Sequence, residues 1–318
     1  MKIIKLAFIA LIYTSVISCS REIEISPGLE EFEVSTNKTV YKVNEEVMFN
    51  LKGNPDIISF YSGELYSQYD YRESREIILD KATVSFTSAY PTLAGSQTSD
   101  FKVLVSTDFN DIYNYESLTN PSSNWKEITT KFTYGTSGTY VASGSYEVSE
   151  LYEAGKPLYV AFRYISKPQE GPGPPISGPV RRRLIQSFQM LGKSVFGDHV
   201  IGNISSANFK LIEKSDDAKT ESSLSSTTIT FDGYKRSLPT DPDPETDTWV
   251  VSKAFDLDKL DNGPDRPVAI KGNQDPALTN HIYAFAKAGE YTVTFVGINA
   301  NVSGRKEVVR QLKITVEE

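Results

Sequence analysis

The segment 57-IISFYSGELYSQYDYRES-74 decides how this chain is organised. Its apolar and polar residues alternate from Ile57 to Tyr61, which predicts a strand, and Ser62-Gly63-Glu64 predicts a turn at its end. The remainder is rich in aromatic residues and ends in arginine. We expect this part to mark the point where one domain is interrupted by another, so that its side chains pack at that boundary and do not hold a ligand: Tyr66, Tyr69, Tyr71 and Arg72.

Strand signals dominate the rest of the chain, because short alternating runs are separated by Gly, Pro, Asn, Asp and Ser, and long helical periods are nearly absent. The sequence therefore predicts an all-β fold. About three strands lie near the start (FEVS, EVMFNL, IISFYS) and three near the end (IYAFA, YTVTFVGINA, VVRQLKITV). Three strands supply half a sandwich, so we expect residues 30–80 and 237–318 to form one discontinuous domain around a second domain at 81–236. Three small domains in a row are the alternative.

Two groups of residues resemble known all-β families. The spacing of Gly289, Tyr291, Val293 and Phe295 resembles the closing hairpin of immunoglobulin-like domains of the polycystic-kidney-disease (PKD) type. The words STDFN, NWKEIT and PLYVAFRY resemble the jelly roll of cleaved-adhesin and choice-of-anchor families. These resemblances imply an Ig-like (PKD-type) β-sandwich built from both chain ends, with an inserted jelly-roll (galactose-binding-like) β-sandwich. The run DPDPETD at 241–247 is then expected to lead back to the first domain.

Residues 1–18, MKIIKLAFIALIYTSVIS, have the basic start and apolar run of a secretory signal peptide. The following Val16-Ile17-Ser18-Cys19 resembles the bacterial lipobox, and Cys19 is the only cysteine, so a disulfide within the chain is excluded. We expect a lipid on Cys19 and a polar tether at 19–29, whose acidic residues resemble a surface-export signal. A plain secretory signal with an incidental cysteine is the alternative. The predicted location is the outer membrane, lipid-anchored and exposed at the cell surface.

The net charge and the absence of common catalytic motifs argue against nucleic-acid binding and against most enzyme classes. The chain has 33 Lys and Arg residues against 41 Asp and Glu, a net charge of −8, which disfavours nucleic-acid partners. It has two histidines and none of the common hydrolase, kinase or dinucleotide motifs. We therefore do not expect an enzyme, although glycoside hydrolysis needs only two suitably placed carboxylates.

Candidate binding residues follow from loop position and side-chain type. Aromatic rings stack on sugars, and six aromatic residues in or beside predicted loops or hairpin tips are candidates for sugar binding: Tyr113, Tyr115, Trp125, Tyr134, Tyr140 and Trp249. A buried packing role is the alternative for each tryptophan. Oxygen ligands at short spacing make a weaker calcium candidate, with Asx turns as the alternative: Asp108, Asn110 and Asp111. No other cofactor is expected.

Together, the lipobox, the split Ig-like ends and the jelly-roll middle resemble a family of Bacteroidetes surface lipoproteins of unknown function, found with glycan importers of the starch-utilisation-system type. The resemblance spans most of residues 30–318. It implies non-catalytic binding of a glycan or oligosaccharide, with an outer-membrane importer complex as a partner and contact with the membrane through the lipid alone. A surface adhesin or scaffold that binds a protein is the alternative, and a glycoside hydrolase the third.

Overall fold

The computed structural model describes residues 29–91, 99–168, 182–214, 220–234, 244–302 and 304–318. The predicted signal peptide, Cys19 and nearly all of the predicted tether lie outside these residues. No helix within the described ranges is long and apolar enough to cross a membrane. The described chain divides into two compact units. Unit 1 joins the residues up to Arg75 to Asn262–Glu318, and unit 2 comprises Glu76–Asp261.

Unit 1 is a sandwich of two sheets. One sheet has the order β1-β3-β19 and the other β18-β4-β20-β21-β2, and all pairs are antiparallel except the parallel pair β2–β21. The strands are β1 (Glu33–Thr36), β2 (Val40–Lys42), β3 (Glu46–Lys52), β4 (Ile57–Tyr61), β18 (Val268–Lys271), β19 (Asn280–Ala284), β20 (Gly289–Asn301) and β21 (Gly304–Glu317).

The core of unit 1 is aromatic. Phe60, from the opening segment, is 1% exposed and lies 5.9 Å from Phe49 and 5.0 Å from Phe295, measured between ring centroids. These three rings come from β3, β4 and β20, so both ends of the chain supply the same core. The alternation of Ile57–Tyr61 places Ile58 and Phe60 inward, as predicted from the sequence.

Unit 2 is a larger arrangement of sheets. A five-stranded sheet has the order β13-β16-β10-β7-β8, a six-stranded sheet has the order β14-β15-β11-β6-β9 with β12 also paired to β11, and β5 and β17 form a short ribbon. The strands are β5 (Glu76–Ile78), β6 (Lys81–Ala89), β7 (Ser99–Ser106), β8 (Lys126–Glu127), β9 (Val141–Glu147), β10 (Tyr159–Ser166), β11 (Arg182–Ser194), β12 (Gly197–Asn203), β13 (Lys210–Glu213), β14 (Ser223–Leu224), β15 (Thr228–Asp232), β16 (Thr246–Val251) and β17 (Lys259–Asp261).

Both faces of the five-stranded sheet of unit 2 are covered. Along β10, Val160 and Phe162 face the main core shared with the six-stranded sheet, whereas Tyr159 and Ala161 face a second apolar cluster on the opposite side. The loop that contains α1 (Tyr115–Thr119) contributes to this second cluster. Short 3-10 helices at Tyr69–Tyr71, Pro121–Ser123, Thr129–Lys131 and Ser149–Leu151 complete the described elements.

The all-β sandwich predicted from the sequence is confirmed. The expected bounds of the two domains need correction, however, because the chain enters unit 2 at Glu76 and leaves it at Asp261. The expected return at residue 237 is too early. Strand β16 pairs with both β10 and β13, so the end of the acidic Pro-rich run and the residues after it complete a sheet of unit 2.

Candidate functional site

The loop between β7 and β8 brings four of the six aromatic candidates together. Tyr113, Tyr115 and Trp125 are half-buried and pack against the second cluster of unit 2, to which Trp249 also belongs. The ring centroids of Trp125 and Trp249 are 5.6 Å apart. Trp249 lies within β16 and not at a loop exit, and only 2% of it is exposed. Its ring is therefore part of a core, because both faces of β16 are covered.

Polar groups lock the same cluster in place. Arg163 forms a two-pronged ion pair with Asp247, through Nε to Oδ1 at 2.9 Å and Nη2 to Oδ2 at 2.6 Å, and its guanidinium lies 4.8 Å from the Trp249 ring. The Tyr115 hydroxyl donates to Asp247 at 2.7 Å, and burial with this hydrogen bond raises the pKa of Tyr115 to about 12. The Tyr113 hydroxyl donates to the Ser252 carbonyl at 3.0 Å. These hydroxyls already have partners.

The oxygen ligands considered for calcium are also in use. Asp108 accepts hydrogen bonds from Lys156 at 2.8 Å and from Asn124 at 2.9 Å, which hold the pKa of its carboxyl below the ordinary value. The Asn110 side chain accepts from the amide of Ile112, as in an Asx turn. Within the described ranges, no group of three or more His, Cys, Asp or Glu side chains could hold a metal. Asp111 has a positive φ of 61° and adds to the turn geometry.

The last two aromatic candidates lie elsewhere in unit 2. Tyr134 packs against the main core, and its hydroxyl donates to the Thr129 carbonyl at 2.7 Å. Burial raises the pKa of Tyr134 above its ordinary value. Tyr140 is exposed. Four of the six candidates therefore pack in one cluster. Tyr134 packs against the main core, and Tyr140 is exposed.

An open cleft with the chemistry of a binding site lies in unit 1. Its volume is about 260 Å³, and its lining is mostly polar: Gly63, Gln68, Tyr69, Asp70, Tyr71, Glu290, Thr292, Thr294 and Gln311. One wall is the 3-10 helix Tyr69–Tyr71, from the second half of the opening segment. The other wall is the face of β20 and β21 that points away from the core, where exposed Glu290 and Thr292 and buried Thr294 alternate with core residues.

A tight turn brings the two walls together. Gly63 has a φ of 83°, and a Cβ at this position would lie 2.8 Å from the carbonyl oxygen of Thr292. No other residue fits so close to β20 without a backbone shift. Tyr66 closes the turn with a φ of 68°, and the Gly63 amide donates to the Ser67 carbonyl at 2.9 Å.

A buried ion pair fixes the helical wall. Arg75 and Asp265 are joined by two hydrogen bonds of 2.7 Å each, and their side chains are 4% and 1% exposed. Arg75 also donates to the Gln68 side chain at 2.6 Å, and its guanidinium lies 3.6 Å from the Tyr71 ring centroid. Burial opposes ionisation of Asp265, but the bonds from Arg75 and the Gln68 amide hold its pKa below the ordinary value.

Several side chains that line the cleft have hydrogen-bonding groups available to a ligand. Asp70 and Glu290 form no ion pair within the described part of the chain. Tyr71 is 40% exposed, and one ring face is covered by Arg75. The Gln311 amide donates to Thr294 at 3.1 Å. Carboxylates that accept, amides that donate and accept, and an exposed ring form a set that suits a ligand rich in hydroxyl groups.

Sequence reasoning did not find this cleft. Its walls are more than two hundred positions apart in the chain, and nothing local in Glu290 or Gln311 indicates a partner near Asp70. The available signal was the aromatic-acidic run from Tyr66 to Arg72, which was expected to pack at a domain boundary. The structure shows that Arg72 lies 4.4 Å from the Tyr69 ring centroid, and that Tyr71 remains partly open.

Fold and cleft together define an all-β protein of two sandwich-containing units, one of which presents a polar, tyrosine-bearing cleft. Residues 18–209 match the model of a domain of unknown function, DUF5017. Because the match covers more than half of the chain, the protein belongs to the DUF5017 family. The match includes the helical wall of the cleft and the Trp125 loop, and it ends before β13. No curated protein and no solved structure matches the chain significantly.

Proposed function

We propose that this DUF5017 protein is a lipid-anchored surface protein that binds glycans without catalysis. The observation that carries the proposal is the open cleft of unit 1, which combines the Tyr69–Tyr71 wall with Asp70 and Glu290, two carboxylates that form no ion pair within the described residues. Sugars present hydroxyl groups to carboxylates and amides and apolar C–H faces to rings. The proposed glycan therefore lies between the 3-10 helix and the outward face of β20.

The proposed lipid anchor explains how a cleft that binds glycans weakly could still be effective. A lipid on Cys19 confines the protein to a membrane, and confinement raises the effective concentration of a captured oligosaccharide beside a neighbouring importer. Weak single sites then suffice. The membership in Bacteroidetes surface lipoproteins of glycan-uptake loci is part of this proposal, and the resemblance of residues 16–19 to a lipobox supports it.

Binding is tested with the mature protein on affinity gels that contain a panel of polysaccharides. One glycan should retard the protein, and Tyr71→Ala and Asp70→Asn should each relieve the retardation, because both residues line the cleft. The matched control is Tyr140→Ala, an exposed tyrosine of unit 2. Loss of retardation in Tyr140→Ala alone would move the site to unit 2, and no retardation by any glycan would overturn glycan binding.

The same samples test the absence of catalysis. Incubation of the retained oligosaccharide with the protein should release no new reducing ends over a day. A steady release that Asp70→Asn or Glu290→Gln abolishes would make the two carboxylates of the cleft a hydrolytic pair and would favour the glycoside hydrolase instead.

The anchor has its own test. Cys19→Ala should shift the protein from the membrane fraction to the soluble fraction after secretion, since a single cysteine is available for lipid. A Cys19→Ala protein that remains with the membrane would contradict the anchor and leave the cleft untouched as a binding site.

A protein partner is the second candidate. The turn between β11 and β12 exposes Val195 and Phe196, which are 83% and 46% exposed, and Val200, further along β12, is 53% exposed. Exposed apolar groups that lie together are typical of contact surfaces. A negative glycan panel, combined with loss of binding to a defined surface protein in Phe196→Ser, would favour the adhesin or scaffold.

A further inference from the structure

The charged side chains that line the cleft of unit 1 are all acidic. Asp70 lies on the helical wall and Glu290 on β20, and no lysine, arginine or histidine is among the described residues of the lining. Both acids are exposed, and neither forms an ion pair within the described part of the chain. A charged ligand that enters the cleft therefore meets two accessible negative charges.

The two arginines beside the helical wall do not offset these charges. Arg75 lies 3.6 Å from the ring centroid of Tyr71, and two hydrogen bonds of 2.7 Å join its guanidinium to Asp265. The Nε atom of Arg72 lies 3.7 Å from a carboxylate oxygen of Glu73. Each guanidinium thus has an acid of its own beside it, and neither arginine belongs to the lining.

One lysine stands near the cleft without lining it. Lys313 on β21 is directly opposite Thr292 on β20, and it is exposed. A ligand in the cleft contacts the two carboxylates directly, whereas an exposed lysine outside the lining acts on it through water and salt. The net charge that a ligand meets in the cleft is therefore negative.

We propose that the cleft selects sugars by charge: it binds an amino sugar, whose ammonium group pairs with Asp70 and Glu290, and it disfavours acidic sugars. This inference deepens the proposed glycan binding and rests on it. An ammonium group donates three hydrogen bonds, and charge-assisted bonds to carboxylates are stronger than those of a hydroxyl. The partly exposed ring of Tyr71 offers apolar contact to the sugar ring. A uronate would add a third negative charge and would find no cation in the lining.

The test compares three β-1,4-linked tetrasaccharides, of glucosamine, glucose or glucuronate, which share length and linkage and differ in charge. Titration calorimetry with the full mature protein, at low salt and at a pH below the pKa of the sugar amine, measures their affinities. The glucosamine tetramer should bind about tenfold more tightly than the glucose tetramer, because it meets two carboxylates in contact. The glucuronate tetramer should bind most weakly. The advantage of glucosamine should shrink at about 0.5 M salt.

Substitution separates the cleft from the rest of an acidic surface, since a net charge of −8 attracts any cationic oligosaccharide. Glu290→Gln keeps the shape of the side chain and should reduce the advantage of glucosamine over glucose about threefold or more. The matched control is Glu307→Gln, which removes an exposed acid of β21 in the same unit and should leave that advantage unchanged. Equal losses in the two variants would assign the preference to general surface attraction and overturn the proposal.

The outcomes distinguish charge selection from glycan binding itself. Equal affinities for the glucosamine and glucose tetramers, or the tightest binding for glucuronate, would overturn charge selection and leave the cleft as a glycan site. Binding of none of the three tetramers would overturn the amino sugar, and the polysaccharide panel then decides separately whether the cleft binds any glycan. Should Glu290→Gln fail to fold, Asp70→Asn provides the same comparison on the opposite wall.

Discussion

Two tyrosine-rich loops of this protein differ in how far their aromatic rings are buried. In unit 2, the rings of Tyr113, Tyr115 and Trp125 pack against the sheet, and the two tyrosine hydroxyls donate to the Ser252 carbonyl and to Asp247. In unit 1, the segment around Tyr69 and Tyr71 keeps a ring partly open beside carboxylates that pair with nothing in the described structure. Composition alone does not separate the two loops.

The difference comes from what lies beneath each loop. The outer face of the five-stranded sheet in unit 2 is apolar, with Leu104, Ala161 and Val251, so the loop above it gains stability by burying its own rings. The face of β20 opposite Tyr69 carries Glu290 and threonines, against which rings gain little. We call the Tyr113–Trp125 loop the lid, because it covers an apolar face, and the Tyr69–Tyr71 helix the wall, because it stands beside a polar face and leaves a cleft.

The largest expected effect tests the lid. Trp249→Ala removes a fully packed indole, and the free energy of unfolding of unit 2 should fall by about 3–5 kcal/mol. Urea unfolding followed by circular dichroism measures it, with Tyr140→Ala as a surface control that changes stability by less than about 0.5 kcal/mol. A Trp249→Ala protein as stable as the control would mean that the cluster is not a core.

The next effect tests the support of the wall. Asp265→Ala leaves the Arg75 charge buried without its acid, and the free energy of unfolding of unit 1 should fall by about 3 kcal/mol. Glycan retardation should weaken in the same variant, because Gln68 and Tyr71 both contact Arg75. Glu307→Ala removes an exposed acid and is the control. Full stability in Asp265→Ala would contradict a structural role for the pair.

A smaller effect compares two hydroxyls directly. Tyr115→Phe removes a donor to buried Asp247 and should cost about 1 kcal/mol. Tyr71→Phe removes a hydroxyl that has no hydrogen-bond partner among the described residues, and it should leave stability unchanged within about 0.5 kcal/mol. Chemical denaturation of both variants measures the difference, and equal costs would erase the distinction between lid and wall.

The smallest effect is on pH dependence and belongs to His281 in unit 1. Burial lowers its pKa, its Nε2 has no partner in the described structure, and the ring of Phe60 lies 4.6 Å away between centroids. The unfolded chain takes up a proton near pH 6.5 and the folded chain only below that, so stability holds above about 6.5 and declines as the pH falls. Urea midpoints at pH 7.5 and 5.5 should differ less in His281→Phe than in the wild type, and an unchanged difference would contradict this origin.

The sequence predicts the fold of this protein better than it predicts the candidate binding site. The alternation of β4 and the long runs of β20 and β21 were visible because each strand has one covered face and one open face. Strand β16 was not, because all six of its residues are buried and no alternation remains after the Pro-rich run. Its placement in the linker region moved the domain boundary, and it made Trp249 look like a loop residue.

The cleft could not have been predicted in the same way. It depends on a glycine turn that sets Gly63 against Thr292 and on a pair, Arg75 and Asp265, whose members are 190 positions apart. Local patterns indicate which residues face outward, but not which outward faces meet. In the same way, the sequence around Asp108 does not indicate that this carboxylate pairs with Lys156, which lies 48 positions further along the chain.

The discontinuity of unit 1 has a consequence for biogenesis. As the chain leaves the ribosome or a secretion channel, unit 2 has all of its strands once residue 261 has emerged, whereas β1 to β4 must wait for residues 262–318. During that interval the strands of the first segment expose apolar faces and unpaired edges, which are prone to aggregate. The order of synthesis therefore gives the inserted unit the chance to fold first, and strands β1 to β4, although made earliest, complete their sheets last.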